Sequence, residues 1–306
     1  MAQEPRAERI PKMTEDTAGS RWTSTIMETN GVKLHVVQAG PEGGPLAILL
    51  HGFPEFWYGW KEQIEPLIRL GYRVLVPDQR GYNLSDKPDR ISQYNAEKMA
   101  LDIVGLIDAV GRQAAAIIAH DWGGHVAWWT ANQHPERVRK LVVLNCAHPR
   151  VMLRNVLLNL RQTLKSWYVF ALQIPWLPEL ILKRKSYSIL RKFISWQGPS
   201  GPMSEADEKL YIEAWSQKRA FTSMINWYRA AFRTIPLTLR QPRIQVPTLL
   251  IWGEQDRFLD RKLAQQSIDY CRDGRLVYVK GASHWVHHED PDGVCSLIKA
   301  FLSEKE

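Results

Sequence analysis

The chain has 306 residues, 45% of them hydrophobic and 24% charged, which suits one large core carrying an inserted segment better than a string of small modules. Its formal net charge is +8, and the excess is local: between Arg150 and Arg243, 16 Lys and Arg stand against 5 Asp and Glu, so the remainder is slightly acidic. These cations are scattered among Leu, Ile, Trp and Pro with no nucleic-acid motif, which excludes a nucleic-acid partner and leaves a solvated face, with weak attraction to a membrane surface as the alternative.

Residues 1–21 are polar and charged, with no apolar run of the kind a secretory signal needs, and read as a flexible tail. No stretch of the chain is apolar for long enough to span a bilayer. Cys146, Cys271 and Cys295 are odd in number and far apart, so neither a disulfide framework nor a zinc site is expected, and a reduced, cytoplasmic setting fits. Thirteen Trp residues are costly to leave in water and point to an aromatic-rich core or cavity.

Thr23 to Glu28 and Lys33 to Gln38 flank Asn30-Gly31, a hairpin turn signal, and predict an antiparallel pair at a sheet edge. Leu46 to Leu50, Arg73 to Pro77, Ala114 to Ala119 and Lys140 to Leu144 predict buried strands, with helical patterns between them at Trp57 to Leu70, Ala96 to Val110 and Gly124 to Gln133. From His148 to about Arg243 the alternation stops, and the segment reads as helices broken at Pro175, Pro178, Pro199 and Pro236. Strands resume at Thr248 to Trp252 and Arg275 to Val279, and a helix follows Pro291. The expected organisation is an α/β core of residues 22–147 and 244–306, interrupted by a helical cap of residues 148–243 over the strand carboxyl ends, where open α/β sheets place their sites.

The chemistry concentrates in Ala119-His120-Asp121-Trp122-Gly123-Gly124. A strand enters it, a helix leaves it, and small residues at 119, 123 and 124 permit the sharp turn of a nucleophile elbow. An Asp that merely capped a helix would need no such glycines. With Asp121 where acyl hydrolases carry Ser, the reaction class changes: a carboxylate is ionised at neutral pH and attacks an sp³ carbon without a base. The resulting ester needs an activated water and an oxyanion hole. Leu50-His51-Gly52-Phe53-Pro54 lies in the loop that supplies one oxyanion amide, so the backbone N–H groups of Phe53 and Trp122 are the candidates, with His51 and His120 as hydrogen-bonded core histidines. The base is expected at His284, in the loop after the last strand, and its orienting acid at Asp256, after the preceding one; the order Asp121, Asp256, His284 is that of nucleophile, acid and base in such enzymes. Asp260 reads instead as a helix cap, and the other position for an acid, Asn145-Cys146-Ala147, has none. His287, His288 and Glu289 have no recognised zinc spacing, so no metal is expected.

Taken together, HGFPEFWYGW at His51 to Trp60, HDWGG at His120 to Gly124, WGEQD at Trp252 to Asp256 and GASHW at Gly281 to Trp285 resemble the epoxide hydrolases of the α/β-hydrolase fold superfamily, over roughly Thr23 to Leu302. The resemblance implies an eight-strand, mostly parallel sheet. It also implies that Tyr168 and Tyr228, in Ser166-Trp167-Tyr168 and Asn226-Trp227-Tyr228-Arg229, reach down from the cap to hydrogen-bond the epoxide oxygen. An alkoxide is a poor leaving group, so a phenol that donates as it departs makes physical sense. The expected partners are a small epoxide and water, with no cofactor, and the sequence is compatible with a homodimer without fixing the oligomeric state. Phe53, Trp57, Trp122, Phe170 and Trp285 are the expected pocket walls. Haloalkane dehalogenases share the Asp and the following Trp but commonly carry Asn where this chain has Phe53; fluoroacetate dehalogenases place Arg where it has Trp122. A non-catalytic binder of the same fold would need no intact set of three.

Overall fold

The structure, a computed structural model, describes residues 22–194, 197–198, 201–233 and 243–304. The expected tail at 1–21 and the breaks expected at Pro199 and Pro236 lie outside those residues. In chain order the core opens with β1 (Thr23–Thr29), β2 (Val32–Ala39), β3 (Leu46–Leu50), α1 (Lys61–Arg69), β4 (Arg73–Pro77), α2 (Ala96–Ala109), β5 (Ala115–His120), α3 (Trp122–Gln133) and β6 (Val138–Leu144). A helical segment follows: α4 (Pro149–Leu158), α5 (Leu160–Lys165), α6 (Trp167–Ala171), α7 (Leu177–Phe193), two strands of two residues each, β7 (Gln197–Gly198) and β8 (Gly201–Pro202), then α8 (Glu205–Ser216) and α9 (Ala220–Arg233). The core closes with β9 (Thr248–Gly253), α10 (Lys262–Ile268), β10 (Gly274–Val279), α11 (Val286–Glu289) and α12 (Pro291–Ser303).

Eight strands form one sheet in the order β1-β2-β4-β3-β5-β6-β9-β10. Only β2 runs against its neighbours; the rest are parallel. The hairpin expected at Asn30-Gly31 is present, with Thr29 opposite Val32 and both turn residues at positive φ. β3, β5 and β9 are buried along their whole length, as central parallel strands covered on both faces must be. Their side chains alternate between two apolar layers: Leu46, Ile48 and Leu50 enter one, Ala47 and Leu49 the other. Helices α2 and α3 cover the first layer with Met99, Ile103, Leu106 and Trp128; α1 and α12 cover the second with Ile64, Leu67, Ile298 and Phe301.

The helical segment enters between β6 and β9, which are sheet neighbours. It docks on the loops at the carboxyl ends of β3 and β4. The Trp215 indole donates to the Pro54 carbonyl at 2.6 Å, the Trp227 indole to the Arg80 carbonyl at 3.0 Å, and the Tyr211 hydroxyl to Glu55 at 3.0 Å. Two details differ from the sequence reading. Pro178 does not break a helix; it sits in the first turn of α7, where its missing N–H has no intrahelical partner to lose. The break comes later, at Arg184–Tyr187, whose backbone is not helical, and neither Gly nor Pro marks it. The short antiparallel β7–β8 pair also lies in a stretch expected to be helical throughout.

Candidate active site

Asp121 stands between β5 and α3 with φ 50° and ψ −121°, a strained conformation for a residue with a side chain. It makes no cap hydrogen bond to α3, which removes the helix-cap reading. The turn closes so tightly that a Cβ on Gly123 would lie 2.2 Å from the Leu50 carbonyl oxygen, and one on Gly52 would lie 2.4 Å from the Asp121 Cβ. Glycine at both positions is what allows the loop after β3 to reach the carboxylate. The Phe53 amide donates to Asp121 Oδ1 at 2.9 Å. Trp122 begins α3, so its amide is among the first-turn N–H groups that lack an intrahelical acceptor.

His284 Nε2 lies 3.3 Å from Asp121 Oδ2, and its Nδ1 lies 2.8 Å from Asp256 Oδ2. The three residues expected from the sequence thus come together in one line. Asp256 is held by the amides of Phe258 (2.7 Å) and Leu259 (2.9 Å) and by the side-chain amide of Asn145 (2.7 Å). Asn145 in turn accepts from the Gly253 amide at 2.9 Å. This clamp was not foreseen. Its only signal is position: Asn145 follows β6, the alternative place for an acid. Asp260 accepts the Lys262 amide at 3.0 Å but stands one residue ahead of the α10 N-cap, which is Arg261.

The electrostatics favour an ionised pair. Burial alone would raise the pKa of Asp121, but the hydrogen bond and charge of His284, with the Phe53 amide, hold it below the ordinary carboxylate value. Burial alone would lower that of His284, but Asp256 and Asp121 outweigh it and bring it up to about 10. Neutralising Asp121 should therefore lower the His284 pKa. We expect an Asp121→Asn variant to show this by ¹⁵N NMR of the imidazole, with the ring titrating at least one pH unit below its wild-type value. An unchanged titration would mean that Asp256 alone sets it.

The Asp121 carboxylate opens on a cavity of about 330 Å³, within the range of small-molecule sites. Tyr168 on α6 and Tyr228 on α9 both line it. Tyr228 packs edge-on against Trp122 (4.7 Å between ring centroids) and Phe53 (5.2 Å), and Tyr168 lies 6.1 Å from Tyr228. Burial, then neighbouring groups that include Asp121, push both phenol pKa values up, so both stay protonated. Of the expected walls, Trp122 and Phe170 line this cavity. Three do not. Phe53 presents its amide to Asp121 and its ring to Tyr228 and Phe193. Trp57 begins a single 3₁₀ turn, and its ring packs against Trp22, Phe56 and Tyr58. Trp285 is buried behind His284 and His120. The cavity lining is not aromatic throughout. His125, Asn95 and Glu97 contribute to it, and burial holds the His125 pKa down to about 4, which keeps that ring neutral.

Behind the site lies a buried polar cluster that the sequence reading did not assemble. His51 accepts from the Gln79 amide at 3.1 Å and bonds the Gly52 carbonyl at 3.0 Å, a satisfied core histidine as expected. His120 bonds the His284 carbonyl at 2.9 Å and faces Glu55 at 3.2 Å. Glu55 takes the Tyr211 hydroxyl and lies 2.7 Å from His288 and 3.3 Å from His287. These neighbours overcome the cost of burial and keep it ionised. The ligand atoms of Glu55, His120 and His287 lie within 4.8 Å of one another, close enough to hold a metal ion. Tyr211 and His288 already satisfy much of the carboxylate. Glu289 is elsewhere, bound to Ser283.

A sequence model of the α/β-hydrolase fold matches residues 45–291. Epoxide hydrolase 4 of Homo sapiens is 36% identical over 98% of this chain and 84% of its own length. The chain belongs to the epoxide hydrolases of the α/β-hydrolase fold. The AB hydrolase superfamily protein YfhM of Bacillus subtilis is 47% identical, covering 92% of this chain and 98% of that protein. A crystal structure of a Bacillus megaterium epoxide hydrolase in complex with an inhibitor superposes with a TM-score of 0.83 at 28% identity, over 92% of this chain and 100% of that one. The eight-strand, mostly parallel sheet expected from the resemblance is thus the sheet of this epoxide hydrolase family.

Proposed function

We propose that the chain hydrolyses small epoxides to vicinal diols through an alkyl ester on Asp121. The observation that carries this reading is an ionised carboxylate, not a hydroxyl, at the elbow, opening on a cavity that two protonated phenols line. Asp121 attacks one epoxide carbon and the C–O bond breaks. The departing oxygen takes a proton from Tyr168 or Tyr228. Esterification removes the Asp121 charge, the His284 pKa falls, and its proton returns to the tyrosinate. Neutral His284, oriented by Asp256, then draws a proton from water as the water attacks the ester carbonyl. The Phe53 and Trp122 amides hold the oxyanion. Collapse releases the diol, which takes the proton of the new carboxyl group, and restores the Asp121–His284 ion pair, so protons balance over the cycle. Residues 148–243 act as the cap that carries both phenols.

Water enters at the ester carbonyl, so one oxygen of the diol comes from Asp121. A single turnover in ¹⁸O water should leave the label in the protein and release unlabelled diol. Label in the first diol would mean that water attacks the epoxide directly, and the covalent route would be discarded.

A further inference from the structure

Large apolar side chains exposed to water are concentrated in one part of this molecule. Of the fourteen among the described residues, eleven fall between Leu157 and Ile189. Leu160 is 74% exposed, Leu164 64%, Trp167 66% and Trp176 72%. Leu160, Leu164 and Trp167, spaced i, i+4 and i+7, line one open groove of about 730 Å³ together with Phe193 and Phe258. Arg161, Lys165 and Arg257 line the same groove. A monomer that leaves such a patch to water pays for it in solubility, and a large patch of this kind marks a surface that docks.

The charge around the patch specifies the partner. From Arg150 to Ile194 nine Lys and Arg stand against one acid, Glu179, which is paired with Arg229. This stretch alone therefore equals the net charge of the whole chain. Arg154, Arg161, Lys183, Arg184, Lys185 and Lys192 are exposed, and the break in α7 places three of them in a row on non-helical or adjoining backbone. Exposed Leu and Trp interleaved with cations is the composition of a surface that lies in the interface of an anionic bilayer: the apolar groups enter the acyl boundary, Trp sits at headgroup level, and Lys and Arg meet the lipid phosphates.

The active-site cavity reaches the surface beside this face. Phe170, one turn after Trp167 on α6, and Phe232 line it, are themselves exposed, and pack edge-on at 5.7 Å. Tyr168 lines both the cavity and the outer groove. We propose that the α4–α7 face docks on an anionic membrane surface, with the cavity mouth bordering the lipid. The substrate class that follows is apolar epoxides dissolved in the bilayer; this last step rests on the function proposed above, whereas docking does not.

Docking is therefore tested without substrate. The full chain is sedimented with vesicles of phosphatidylcholine alone or with 30% phosphatidylglycerol, at low and high salt. Binding to the anionic vesicles should weaken by at least about 10-fold at high salt. Two variants should each lose at least about 10-fold: Leu160→Ser/Leu164→Ser/Trp167→Ser, and Lys183→Ser/Arg184→Ser/Lys185→Ser, the latter expected because each cation near the lipid contributes about 5-fold. The second alters only exposed polar side chains and guards against a folding defect in the first. Chain that stays in the supernatant at all lipid concentrations overturns the proposal, as does equal binding to neutral and anionic vesicles. A solution dimer that the Leu and Trp changes convert to monomer, without vesicle binding, would give the face to a second copy of the chain and would also overturn it.

Discussion

A His284→Gln variant mixed with a saturating epoxide should accumulate as a protein heavier by one substrate, because the proposed mechanism requires His284 only in the half-reaction that removes the ester. Glutamine keeps a polar group beside Asp121 but cannot take a proton from water. Steady-state turnover should fall by roughly 10²–10⁴-fold, the usual contribution of a positioned base, while the first turnover still delivers alkylated enzyme. Intact-mass spectrometry separates the two events, and peptide mapping should place the adduct on Asp121. Recovery of protein with unmodified mass, under conditions where substrate is consumed by wild type, would remove His284 from the role of ester-hydrolysing base. An Asp256→Asn variant should behave similarly with a smaller defect, since it leaves the imidazole in place but withdraws the 2.8 Å carboxylate contact at Nδ1 that orients it.

Loss of the two cap phenols should act on the opposite half-reaction. Tyr168→Phe and Tyr228→Phe should each slow alkylation by about 10-fold or more, and the double change should come close to abolishing it, because two donors partly substitute for one another and only their joint removal leaves the alkoxide unprotonated. Halide leaves without a proton. The same variants should therefore retain most of any alkylation rate with a matched bromoalkane, and pre-steady-state comparison of the two substrates is the decisive measurement. A double variant that keeps its epoxide rate would make both tyrosines packing residues of the cavity wall.

What could be read from the sequence and what could not divides along a physical line. The strands β3 and β4 fall within the limits that their apolar runs predict, and β5, β6, β9 and β10 differ only at their ends; for all but the edge strand β10, whose residues are half-buried or exposed, burial on both faces writes itself into consecutive residues. The meeting of Asp121, Asp256 and His284 was legible for a related reason: each lies in the turn or loop that follows a strand, so chain position fixes spatial position. Residues whose role depends on a partner far along the chain were not. Asn145 gains its place from Asp256, and Glu55 gains its place from His120, His287, His288 and Tyr211. The direction of a ring is equally hidden. Trp57 and Trp285 stand beside motif residues, yet each turns away from the cavity, and no local pattern states which way a side chain leaves its turn.

The insertion of α4–α9 between two neighbouring strands has a consequence for how the molecule is made. β6 must wait for β9, roughly a hundred residues later, before that side of the sheet is paired, so during synthesis its backbone N–H and C=O groups on that edge stay unpaired while the helical segment emerges. Closing such a loop is entropically slow, and the long delay favours folding in two stages. Asp256 and His284 both lie on the portion that arrives last. A nascent chain can therefore build its elbow and much of its cavity early, yet His284 and Asp256 reach Asp121 only when β9 and β10 complete the sheet, which under the proposed mechanism ties the onset of turnover to the final step of assembly.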